Sequence, residues 1–186
     1  LERVAVRLKQ IEQEGRLPRF EVLRKPVEPQ PIAGIRDTVG GYADLAELFR
    51  ELAGYLASRG VAPRASAMAL HYDAEYRDQG ADVEAAMPLT HEELRRIKGN
   101  ARVETRVLPR IEAASVIYTG PYEGIGTAYS ALLGWMQSHG YRAAGPNREL
   151  YLQGPGHGSE PSRYVTEAQV PAQPLKAARR KTGGGL

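Results

Sequence analysis

The middle of this chain repeats itself, and the repeat limits the possible folds more than any other feature. VGGYADLAELFRELAGYLASRGV, starting at Val39, aligns with TGPYEGIGTAYSALLGWMQSHGY, starting at Thr119, 80 residues further on. In that register Gly40 meets Gly120, Tyr42 meets Tyr122, and Gly60 meets Gly140. Leu45, Leu48, Phe49, Leu52 and Leu56 carry over to Ile125, Ala128, Tyr129, Leu132 and Met136. Each set recurs at i, i+3, i+4, i+7 and i+11, the apolar stripe of an amphipathic helix. Each helix follows a glycine-containing turn and stops at a glycine, which suits a left-handed cap. A shared helical period is common, but a tyrosine and two glycines held in one register are not.

The repeat extends outward on both sides. A β-type run precedes each helix, Ile32 to Val39 and Ala113 to Thr119. A second follows each, Ser66 to Asp73 and Arg148 to Gln153, and then a third, Val83 to Leu89 and Tyr164 to Pro171. Glu84-Ala85-Ala86-Met87-Pro88 matches Glu167-Ala168-Gln169-Val170-Pro171 at an offset of 83, and the three extra residues fit the Gly- and Pro-rich hairpin loop QGPGHGSEPS. Between the halves, PLTHEELRRIKGN predicts a short helix with a capping box from Thr90 to Glu93. The expected fold is therefore α+β. Two βαββ modules, residues 32–89 and 113–171, each with an antiparallel sheet and a leading strand, pair about a pseudo-twofold axis and form a ligand cleft between them.

Composition excludes several classes. The 186 residues contain no cysteine, so no thiolate zinc site, iron–sulfur cluster or cysteine nucleophile is available, and a reducing cytoplasm is the expected location. Four scattered histidines predict no metal site and no cofactor. A net charge of +3 is too small an excess to argue for nucleic acid, and no apolar run is long enough to span a membrane. Ten tyrosines and one tryptophan against two phenylalanines favour a recognition surface over a dry core.

The ends read differently from the middle. Leu1, Val4, Leu8 and Ile11 have heptad spacing, which makes residues 1–15 the expected end of a dimerisation helix. Residues 16–31 hold four prolines and predict an extended lead-in with an edge strand near Phe20 to Lys25. Residues 173–186 lack apolar periodicity and predict a flexible tail.

Strand parity selects candidate site residues. Tyr164, Thr166, Ala168 and Val170 form the drier face of the last strand and are expected against the helix, which turns Glu167 toward the cleft. Glu84 takes the same place in the first half. In the preceding strand Leu150 and Leu152 read as dry, while Glu149, Tyr151 and Gln153 share the wetter face, with Ala69, His71 and Asp73 as their first-half equivalents. Glu167, Glu84, Tyr151 and His71 are thus expected to share the cleft, with Tyr42 and Tyr122 as its walls. Trp135, which matches Tyr55, is expected to pack. A carboxylate among aromatic rings suits a flat, apolar cation: the rings attract it by about 0.5–2 kcal/mol each, and the carboxylate balances a charge that desolvation would penalise.

IAGIRDTVGGYADLAELFRELAGYL, DVEAAMPL, VIYTGPYEGIGTAYSALLGWM, RELYL and RYVTEAQVP together resemble the GyrI-like effector-binding domain over residues 20–172. That family includes the C-terminal ligand domains of MerR-type multidrug-sensing regulators. The resemblance implies two βαββ modules around a cleft and a buried glutamate that attracts lipophilic cations. It puts Glu167 in the place of that glutamate, Tyr122 in the GPYE turn and Tyr151 in the strand before it. It implies homodimers through an upstream coiled coil. DNA contact is expected only through an N-terminal domain beyond these residues. Two other readings remain open. Some stand-alone members resemble hydrolases that open strained cyclopropane rings, where Glu167 would orient water and Tyr151 donate a proton. Others resemble protein partners that inhibit gyrase.

Overall fold

The computed structural model describes residues 20–62, 67–73 and 80–175. The heptad segment, most of the expected tail and the start of the Pro-rich lead-in lie outside these residues. The strands are β1 (Leu23–Val27), β2 (Gln30–Val39), β3 (Met68–His71), β4 (Ala81–Pro88), β5 (Glu104–Leu108), β6 (Ile111–Thr119), β7 (Tyr141–Ala143), β8 (Asn147–Gln153) and β9 (Val165–Pro174). Helix α1 (Tyr42–Ser58) follows β2, α2 (His91–Arg96) follows β4, and α3 (Gly126–Ser138) follows β6. The fold is α+β, as the repeat requires.

One antiparallel sheet runs in the order β1-β6-β9-β8-β3-β4-β2-β5, with β7 paired to the end of β9. The order is symmetric about its centre, where β8 of the second half meets β3 of the first. Ala69 pairs with Glu149 there. The repeat makes these two residues equivalent, so the pseudo-twofold axis passes between them. Cross-strand partners share a face. Ala69, Glu149 and Ala168 lie in line across three strands, so they share one face of the sheet.

Both long helices cover that face. Leu45, Leu48, Leu52 and Leu56 of α1 pack on Ala33, Ile35, Ala69, Val83 and Ala85. Ile125, Ala128, Leu132 and Met136 of α3 pack on Ala114, Val116, Ala168 and Val170. Alanines in the strands let the helices approach closely, and removing this apolar surface from water supplies the main stabilising free energy. A third cluster, Ile32, Met68, Leu70, Ala86 and Leu108, lies on the opposite face. Each helix ends as expected. Gly60 has φ 72° and Gly140 φ 73°, and Val61 N–H reaches back to the Leu56 carbonyl at 3.0 Å, a closing bond of the Schellman type. Thr90 and Glu93 form the capping box of α2. Trp135 packs, stacked on His139 and Tyr141 at 4.2 and 5.7 Å between ring centroids.

The leading strands depart from expectation. β1, which runs into β2, pairs with β6 of the second half, and β5, which runs into β6, pairs with β2 of the first, so neither stays with the module it precedes. The exchange is reciprocal, and each leading strand becomes the far edge of the other module. Pro26 sits in β1, where an edge strand tolerates a missing N–H. At the other end, Gln173 and Pro174 belong to β9 rather than to a tail, because β7 pairs with them.

Candidate functional site

The helix-free face carries the two glutamates of the matched strand ends. Glu84 pairs with Arg36 and Leu70, and Glu167 with Ile117 and Leu150, so the two hold equivalent registers. Glu84 is 1% exposed, and Arg106 of β5 grips it with two bonds of 2.6 Å. The Tyr72 hydroxyl donates to the same carboxylate at 2.6 Å. Burial and that bond push the Tyr72 pKa up to about 12. The Arg36 guanidinium covers the Tyr72 ring at 3.6 Å from its centroid. A Cβ on Gly34 would overlap the Glu84 carboxylate, so glycine is what admits it. Glu167 accepts from Ser115 at 2.5 Å and Gln169 at 2.9 Å and pairs with Lys25 of β1 at 2.5 Å. Burial pushes its carboxyl up, but Lys25, Ser115 and Gln169 outweigh burial and hold it below its ordinary value. Both glutamates are thus fully engaged by side chains of this protein, and the cation comes each time from an exchanged strand.

The helix-covered face has a different centre. Between α1 and α3, over the central β3–β8 pair, lies the carboxylate of Glu149, 3% exposed. Tyr129 of α3 donates to one oxygen at 3.1 Å and Tyr151 to the other at 3.0 Å. His71 of β3 places Nε2 at 3.3 Å, inside ion-pair range but not aligned as a hydrogen bond. Burial pushes the Glu149 carboxyl up, and His71, Tyr151 and Tyr129 together outweigh it, leaving the group below its ordinary 4.5. Around this carboxylate stand half-buried rings. Tyr151 meets Phe49 edge-on at 5.8 Å and Tyr122 at 5.3 Å, and Tyr122 lies 5.0 Å from Tyr164. Tyr122 enters from the short turn Tyr122–Gly124, and a Cβ on Gly154 would come within 2.8 Å of its hydroxyl. Burial pushes the Tyr122 pKa up to about 12 and that of Tyr151 well above its usual range, so both stay neutral hydroxyls near pH 7.

The expected cleft therefore divides. Tyr151 pairs with Thr166, and His71 with Val83, so both face the helices. Glu167 and Glu84 are the next residues along β9 and β4 and face the other way. Glu167 does point away from its helix, but this takes it away from Tyr151 as well. Tyr122, Tyr151 and His71 are brought together, and Tyr42 begins α1 with its side chain outside the described residues. Glu149 was not a candidate, although parity put it beside Tyr151. Parity alone predicts a wet face there. In fact Glu149 is buried, while Leu152, read as dry, is 39% exposed. The pair Glu149 and Tyr151, matched in the repeat by Ala69 and His71, was the available signal. Among the described residues no group of three or more His, Asp or Glu side chains forms a metal site, and no helix is long and apolar enough to cross a membrane.

Comparison with known proteins agrees with this architecture. The family model of the GyrI-like small molecule binding domain matches residues 21–173. No curated protein matches the chain. Among solved structures, the crystal structure of the EcmrR C-terminal domain is 22% identical, with a TM-score of 0.75 over 84% of this chain and 99% of that one. EcmrR in its DNA complex gives 0.77 at 22% identity over 93% of this chain, which spans 64% of that protein's length. A hydrolase from Listeria innocua, 13% identical, gives 0.59 over 89% of this chain and 98% of its own. At these identities the likeness is one of fold.

Proposed function

Because the chain belongs to the GyrI-like small molecule binding domain family, we propose that it is the ligand-sensing part of a MerR-type transcriptional regulator and binds lipophilic cations against Glu149. The carrying observation is a carboxylate at 3% exposure, on the pseudo-twofold axis, surrounded by half-buried aromatic rings. A buried carboxylate is costly unless compensated, and a flat cation compensates it while the rings supply contact area and cation–π attraction. The repeat puts Ala69 opposite Glu149, so the site holds one acid rather than a repelling pair. Ligand in the seam bears on both modules at once, which is what a sensor that shifts its own conformation needs. The likeness to EcmrR, a protein solved on DNA, supports the regulator reading. In that reading DNA contact and dimerisation, through a coiled coil, belong to an upstream part in the cytoplasm.

The test is a titration with N-methylquinolinium, a permanent cation, and 1-methylnaphthalene, its uncharged isostere. The cation is expected to bind at least tenfold more tightly. Glu149→Gln keeps the shape and removes the charge, and should weaken the cation by about 1.5–3 kcal/mol, the lower range of the coupling between close opposite charges. Glu167→Gln serves as the control on the opposite face and should leave cation affinity unchanged. Equal affinities for the two probes would overturn the proposal. The hydrolase reading, moved to the Glu149–Tyr151 pair, predicts turnover of a strained substrate that Tyr151→Phe abolishes.

A further inference from the structure

The seam already contains a group that can carry a positive charge. His71 occupies the position equivalent to Tyr151 across the pseudo-twofold axis, and its ring reaches Glu149 from the other module at 3.3 Å. Its Nε2 is buried and has no hydrogen-bond partner. The groups that face it are few. From β8 come Glu149 and the hydroxyl of Tyr151, and from α3 the hydroxyl of Tyr129, both hydroxyls committed to Glu149. Asp73, two residues along its own chain, adds a second negative charge nearby. On the β4 side its neighbour is Val83, with Asp82 and Glu84 on the opposite face. The charged side chains Glu47, Arg50 and Glu51 of α1 pair with one another or with Arg102.

We propose that His71 sets the charge selectivity of the site: when protonated it neutralises Glu149 and competes with cations, and when neutral it leaves the carboxylate to them. The inference rests on the seam being a cation site. Geometry supplies the reason: a protonated ring 3.3 Å from Glu149 and a cation on the same carboxylate put two like charges together in a buried site. The direction of the histidine's titration agrees. Burial works against its charged form, the Glu149 carboxylate outweighs burial, and the ring holds its proton above the ordinary 6.5. A cation bound at Glu149 reverses that preference and expels the proton. Affinity therefore rises with pH until the ring is neutral, and each cation bound below that point releases up to one proton. While His71 is charged it holds the Glu149 carboxyl below its ordinary value, so the ring is the group that titrates first.

The experiment measures N-methylquinolinium affinity from about pH 5.5 to pH 8.5 by fluorescence, with proton release read calorimetrically in buffers of different ionisation heat. The unmodified protein is expected to bind roughly tenfold or more tightly at the alkaline end. His71→Gln should bind near the alkaline affinity and lose the histidine's slope and its proton release, any slope that is left belonging to Glu149 without the histidine's charge. The uncharged 1-methylnaphthalene should be flat in both proteins. A proton NMR titration of the unmodified protein needs no variant: the His71 pKa should fall when the cation saturates the site. Cation binding with a flat profile, an unmoved His71 pKa, or an unchanged slope in the variant would overturn the role of His71 and leave the cation site standing. No preference for the cation at any pH would overturn the site and this inference together.

Discussion

In the first half a glutamate on the helix-free face is clamped by a guanidinium and a phenol, and the glycine beside it makes room. In the second half the equivalent glutamate is met by a serine hydroxyl, an amide and a lysine that is 42% exposed. Gly34 and Ser115 occupy matching positions, as do Arg106 and Lys25, so two solutions to one problem sit in one chain. The comparison teaches that a duplicated backbone preserves where a charge is buried but not how it is satisfied. The first solution depends on a single arginine with two short bonds. The second spreads the work over three partners, none of which is indispensable.

That difference can be broken from either side. The largest effect is expected from Arg106→Ala, which leaves Glu84 buried with Tyr72 as its remaining partner. Stability measured by urea denaturation should fall by about 3 kcal/mol, the lower end for a broken buried pair because Arg106 is itself partly exposed. Next comes the exchange of the small residues. Gly34→Ser brings a Cβ into the space of a carboxylate that Arg106 and Tyr72 hold in place, and should cost about 2 kcal/mol. The reverse graft, Ser115→Gly, removes one of three partners and should cost about 1.5 kcal/mol by the same measurement. Lys25→Ala should be the mildest, at about 0.5–1 kcal/mol, because the amine is half in water. Its signature lies in the pH profile. The Glu167 carboxyl titrates below its ordinary 4.5, so its stabilisation is present above pH 4.5 and is lost as pH falls through the lowered value. Thermal melts from pH 6 to pH 3 should show a shallower acid loss in Lys25→Ala. An equal loss would move the assignment from Lys25 to Ser115 and Gln169.

Much of this architecture was legible in the residues. Gly60 and Gly140 marked two helix ends because only a left-handed cap asks for glycine there, and the apolar stripes of α1 and α3 named the core that forms. The strand offsets put Glu84 on Glu167 correctly. The carboxylate at the seam was not legible, for a physical reason. Alternation along a strand says which residues share a face, but not whether that face meets water or a neighbouring module. β8 sits at the centre of the sheet, so its polar face is buried and Glu149 reads like a solvated residue. The exchange of β1 and β5 was hidden for another reason. An edge strand bonds through its backbone, and nothing in LRKPV or ETRVL distinguishes the near module from the far one.

That exchange has a consequence for how the chain assembles. The second module cannot complete its sheet without the strand that leads into the first, whereas the first takes β5 from the segment just after its own α2. β1 must wait for β6, some eighty residues away, and loop closure over that distance is slow compared with the hairpins that build each half. Expressed as residues 20–99 and 100–175, the two halves would each lack the strand that the other carries, and would recover it only by finding each other as two chains. Joining them in one polypeptide replaces that encounter with a high local concentration.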